Sequence, residues 1–308
     1  MSLGRRLAGL TEDPEAFVAS LLSGLERLTH PRHVATHDRV SPGMDDHRAV
    51  AAPLRRAVER PVRAALADGS SSSALSLAQR LERSEERDGR LFALCCLDRA
   101  LADDPERSWQ VLRRLGRRAE DRMEVDSQAG LWAAGILLEP YRWAELELLV
   151  YSARATERRL VGVTLARMPR RLPRSRHEPQ GTHGPRALAL VGILIGDADP
   201  LVQRSLAWAI REWTRIDPRG SESFVRDQTA IAVERADGHR ARVIRDCLEA
   251  QPAPVALDLR SRLAHLRRRA HEPSTSIAAR QVAAFGIPAG VADAAVARHG
   301  ERSPMDRP

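Results

Sequence analysis

The chain has 308 residues, 43% of them hydrophobic, which is enough to bury the core of one elongated domain or two compact ones and excludes an intrinsically disordered chain. Only 4% are aromatic, while Ala, Leu and Arg dominate, so strand-type alternation is scarce and helix is the expected state throughout. The net charge is +8 with a pI near 10.7, which turns attention to an anionic partner such as nucleic acid.

The first predicted element is "TEDPEAFVASLLSGLERLTH", where Phe17, Val18, Leu21, Leu22, Leu25 and Leu28 recur at helical spacing after a cap at Thr11 or Asp13. Residues from His30 to Met44, rich in Pro, Gly and His, read as a connection. Within it His33 and His37 stand four apart beside Asp38; on a helix that spacing suits a metal, but a proline-broken connection does not hold it, and no metal is expected. Short amphipathic segments follow from "AAPLRRAVERPVRAAL" through "HRARVIRDCLEA", each ended by a Pro, Gly or Asp break. Pairs of such helices, recurring every few tens of residues without a strict consensus, predict an all-α, HEAT-like helical-repeat solenoid.

Two segments interrupt or end the series. "PRRLPRSRHEPQGTHGP", Pro169 to Pro185, reads as a basic, proline-rich loop, and "LRRRAHE", Leu266 to Glu272, reads as a solvated face or an extension of a basic surface. The expected organisation is an N-terminal helix and connection over residues 1–49, a repeat domain over 50–270, and a Pro/Gly/Ala-rich tail over 271–308 that is partly disordered. The run "ALALVGILI" is too short to span a bilayer and the N-terminus has no apolar signal core, so a cytoplasmic, nucleoid-associated bacterial protein is expected. Cys95, Cys96 and Cys247 offer no disulfide framework and are expected to be small buried hydrophobes.

The most informative helix is "DADPLVQRSLAWAIREW". Asp199 is an N-cap and Pro200 takes the first helical position. At about 100° per residue, Val202, Leu206, Ala209, Ile210 and Trp213 form one apolar stripe, and Arg204, Trp208, Arg211 and Arg215 fall nearly opposite it. The chain contains no lysine and no asparagine, so all 49 of its Lys/Arg positions are arginine, as expected if a GC-rich genome has biased codon usage. Codon bias does not, however, place arginines around a tryptophan opposite a core stripe. The alternative for Trp208 is packing against a second covered surface.

"TERRLVGVTLARM", followed by "LVGILIGDADPLVQRSLAWAIREW", resembles the HEAT-like-repeat DNA alkylation repair family, the AlkD-like DNA glycosylases. The resemblance runs from about Arg87 to about Ala250, and more loosely back to Val50; "QRSLAWAIREW" is its most specific part. It implies a solenoid whose concave, basic face cradles duplex DNA, acting as a monomer without metal or cofactor. It also implies excision of cationic alkylated purines such as 3-methyladenine and 7-methylguanine. The carboxylate it implies is Asp126, in "RMEVDSQAGLWAAGIL", with Trp208 as the main aromatic contact and Arg158, Arg159 and Arg211 around it. Arg204, Arg215 and Arg122 complete the implied DNA contacts. Beside Asp126 the spacing itself leaves room at Gly130 and Ala133, while Val125, Ala129, Trp132 and Ile136 form the packing stripe. Asp126 and Arg122 also have the spacing of an ordinary surface pair. Arg122 and Thr156 stand where family members carry tryptophan, which keeps a DNA-binding protein without catalysis as the alternative, ahead of a protein-binding scaffold.

Overall fold

The computed structural model describes residues 2–28, 50, 52–172, 183–269 and 271–285. Among them there are fifteen α-helices and no strand, so the all-α expectation holds, and the helices fall into two compact units, Met1–Pro140 and Tyr141–Pro308.

The first unit contains α1 (Leu3–Ala8), α2 (Pro14–Glu26), α3 (Ala52–Asp68), α4 (Ser71–Glu82), α5 (Arg87–Ala100), α6 (Pro105–Arg118) and α7 (Arg122–Leu138). Four of its helices start where short acceptor side chains meet open backbone N–H groups: Asp13, Ser70, Asp104 and Asp121 each accept a bond from a first-turn amide. Asp13, not Thr11, is therefore the cap of α2. Alternate helices pack together, α1 on α3, α3 on α5 and α5 on α7 in one layer, and α2 on α4 and α4 on α6 in the other. Next-but-one contacts thus run through the whole unit, the contact pattern of a helical repeat. Between α5 and the start of α7 the unit buries charge: Arg87 pairs with Asp121, and Arg90 Nε donates to Glu124 Oε1 at 2.8 Å. Both partners in each pair are almost wholly enclosed, so losing one would strand the other in low dielectric.

The second unit contains α8 (Trp143–Leu149), α9 (Ala155–Arg167), α10 (His183–Leu194), α11 (Pro200–Thr214), α12 (Pro218–Glu234), α13 (Gly238–Cys247), α14 (Ala253–Arg262) and α15 (Ile277–Ala284). The two-layer rule repeats, with α9, α11 and α13 in one layer and α10, α12 and α14 in the other. The tightest joint is α9 on α11: a Cβ on Gly162 would lie 2.1 Å from Ser205 Oγ and 3.0 Å from the Ser205 carbonyl carbon. Only a residue without a side chain permits that approach.

Part of the expected tail is ordered, since α15 packs on α10 and Ser276 caps it through Ala279 N at 3.1 Å. His33, His37 and Asp38, most of the loop after Arg171, and residues 286–308 lie outside the described residues. All three cysteines are buried, as expected, and burial pushes the Cys95 and Cys247 thiols up to about 12. No described helix is long and apolar enough to cross a membrane.

Candidate nucleic-acid interface

The site is built from α11. The Asp199 carboxylate accepts from Leu201 N at 2.7 Å and Val202 N at 3.0 Å, with Pro200 at the first helical position, so the helix begins where the sequence places it. Val202, Leu206, Ala209, Ile210 and Trp213 are each fully buried. That stripe fixes the rotation of α11 and turns Arg204, Trp208, Arg211 and Arg215 to the other side.

Trp208 is half-buried and held from two directions. Its indole N–H donates to Glu212 Oε1 at 3.0 Å, and the Arg167 guanidinium lies over its ring, 4.9 Å from the centroid. Glu212 is nearly enclosed at 5% exposure and also accepts from Arg215 at 2.6 Å and from Arg170 at 3.2 Å. Burial alone would raise the Glu212 carboxyl, but the bonds from Trp208, Arg215 and Arg170 outweigh it and hold the group below the ordinary carboxylate range. One ionised carboxylate thus fixes the tryptophan and two arginines together.

Arg211 reaches the next repeat, donating to the Asp246 carbonyl at 2.7 Å and pairing with Glu249 at 3.1 Å. Arg204 is exposed and has no ion-pair or hydrogen-bond partner among the described residues. Arg158 and Arg159 serve the fold: they tie α9 to the start of α11. Arg158 pairs with Asp197 at 2.6 Å and donates to the carbonyls of Ser152 and Ala153 at 2.9 and 2.8 Å. Arg159, 7% exposed, donates to the Leu201 carbonyl at 2.6 Å.

Asp126 belongs to the first unit. It sits one turn inside α7, half-buried, with Arg122 exposed in the turn before it. Val125, Ala129, Trp132 and Ile136 are buried beneath, as their spacing predicts. Ala133 is fully buried too, so it is part of the core and not open space beside the carboxylate; Gly130 alone of the two is partly accessible. Trp132 is fixed by its own N–H to Gln128 Oε1 at 3.1 Å and by edge contact with Trp109 at 4.7 Å. Among the described residues no group of three potential metal ligands occurs.

Glu212, Arg167 and Arg170 were not singled out from the sequence. Glu212 carried a usable signal, because it lies four residues after Trp208 and three before Arg215, both within side-chain reach on a helix. Arg167 and Arg170 carried none, since their approach to α11 depends on how α9 packs.

A helical-repeat protein with an arginine-rich face around a tethered tryptophan is what the fold and these residues define. The model of the family described as DNA alkylation repair enzyme matches residues 21–245, and the chain belongs to that family, with a role in the repair of alkylated DNA. The match begins upstream of Val50, within α2. Searches of curated proteins and of solved structures found no match.

Proposed function

We propose that this protein is a DNA glycosylase that removes purines made cationic by alkylation at N3 or N7 from duplex DNA, as a monomer and without a cofactor. The observation that carries the reading is the Trp208 face: an aromatic ring held by Glu212 and Arg167, flanked by arginines and opposite a fully buried stripe. Such a surface meets a charged backbone with bidentate donors and a sugar or base with a ring.

Alkylation leaves a positive charge on the purine, so its bond to the sugar is already weak. That bond breaks with its electron pair passing to the base, which departs neutral, and positive charge spreads over C1′ and the ring oxygen of the sugar. The Asp126 carboxylate stabilises that charge and orients a water, whose oxygen bonds to C1′ and whose proton is released. Arg204, Arg211, Arg215 and Arg122 supply phosphate contacts. The second reading is a DNA-binding protein without catalysis, favoured by the exposed Arg122 and half-buried Thr156 at the positions where the resemblance implies tryptophan.

Release of free base from methylated duplex DNA tests the two. Asp126→Asn keeps the shape and removes the charge, so release should fall about a hundredfold or more, while DNA affinity holds or rises. Wild-type protein that binds DNA but releases base no faster than the substrate loses it spontaneously would rule out the glycosylase reading.

A further inference from the structure

Beyond Trp208, the second unit has a cleft of about 320 Å³ whose walls come from three elements. Arg204 projects from α11, Arg242 and Arg245 from α13, and Arg267 and Arg268 from the segment after α14; among the described residues Asp246 is the one carboxylate lining it. Asp246 is already engaged through its side chain with Arg242 at 3.1 Å and through its carbonyl with Arg211. Positive charge therefore exceeds negative charge in a cleft that is open to solvent on one side. The effect is visible on Arg245, whose guanidinium is held below its ordinary value first by burial and then by repulsion from Arg267 and Arg242.

The cleft is held together by specific contacts. Arg245 donates to the carbonyls of Leu263 and Leu266 at 3.1 and 3.0 Å, fastening the chain that leaves α14, and Arg268 donates to the Ala198 carbonyl at 3.3 Å. Gly238 lets that chain close on α13: a Cβ there would lie 2.2 Å from the Arg267 carbonyl oxygen and 2.9 Å from Arg268 Cα. Backbone contacts thus hold like charges together that would otherwise separate. Arg204 faces the cleft with no partner among the described residues.

We infer that this cleft is a phosphate-binding pocket, and that its occupant is a backbone phosphate of the bound duplex. A tetrahedral group with several acceptor oxygens suits donors arriving from three directions, whereas a carboxylate offers two oxygens in one plane. Arg204 also lies one helical turn from Trp208, about 6 Å along α11, so the pocket continues the same face. Arg267 and Arg268 stand outside residues 21–245 matched by the family model, so the family match does not assign this part of the contact. The inference rests on the DNA-binding reading above and extends its footprint.

The test uses the full chain and Arg267→Gln/Arg268→Gln; both side chains are exposed, and circular dichroism checks the fold. Affinity for a short methylated duplex is measured between about 50 and 200 mM salt. Loss of one phosphate contact should lower the slope of log affinity against log salt by about 0.9, so the advantage of wild type over variant shrinks about 3.5-fold across that range. Inorganic phosphate at matched ionic strength, followed by calorimetry, forms the second arm. An unchanged slope with phosphate binding that only wild type shows would overturn the duplex as occupant. An unchanged slope with no phosphate binding would overturn the pocket itself, while a steep wild-type slope would leave the DNA reading intact. A wild-type slope near zero would remove both.

Discussion

Trp208 and Trp213 lie five residues apart on one helix and answer to different physics, which makes their truncations a paired experiment. Trp213 is fully buried, donates to the Leu165 carbonyl at 3.0 Å and has Gly184 packed against its ring. Trp213→Ala opens a cavity in the joint between α9 and α11 and should cost about 3 to 5 kcal/mol. Trp208→Ala loses one bond to Glu212 and the Arg167 contact, but Glu212 keeps Arg170 and Arg215 and the side chain is only partly buried. The expected cost is about 1 to 2 kcal/mol. Urea unfolding of both variants beside wild type measures the stability side, and fluorescence anisotropy with methylated duplex measures the other. Trp208→Ala should remain folded and bind about tenfold more weakly, in keeping with the loss of one aromatic contact to a nucleotide. A loss of stability equal to that of Trp213→Ala, or unchanged affinity in a folded Trp208→Ala protein, would refute the assignment of Trp208 to the binding face.

Glu212→Gln should weaken DNA binding by releasing Arg170 and Arg215 and loosening the hold on Trp208, and its stability deficit should depend on pH. The folded carboxyl titrates below its unfolded value, so its contribution is complete above the ordinary carboxylate range and lost as pH falls through the folded value; wild type and variant should converge in acid on denaturant titration. Gly162→Val places a Cβ 2.1 Å from Ser205 Oγ and against its backbone, which should destabilise by about 3 kcal/mol or more; an unchanged urea midpoint would show that α9 and α11 are not tightly joined.

Helix identity and rotation were readable because they depend on local spacing. The buried stripes of α7 and α11 and the Asp199–Pro200 start of α11 follow from one turn angle and one cap. The roles of individual arginines were not. Arg158 finds Asp197 across 39 residues, and nothing in "TERRL" distinguishes an arginine that binds a neighbouring helix end from one that faces solvent. Ala133 shows a related limit: beside Asp126 on a helical projection, it is covered by packing that a single helix cannot reveal. Glu212 lay within reach of the same helical arithmetic that found Trp208, but an acid on an expected phosphate-facing helix has no evident use until its partners are in place.

Several arginines of the second unit donate to backbone carbonyls: Arg159 to Leu201, Arg211 to Asp246, Arg245 to Leu263 and Leu266, and Arg268 to Ala198. A free arginine carries about 2 kcal/mol of rotamer entropy, which a ligand must overcome to order it. In the tethered side chains much of that freedom is already surrendered when the chain folds. An anion arriving at Arg211, Arg245 or Arg268 therefore meets guanidiniums that are preorganised, and more of each contact is retained as net affinity. Lysine at these positions would keep the charge but not the fork that holds a carbonyl while another N–H stays available. Arg204, without such a tether, is left to order on binding.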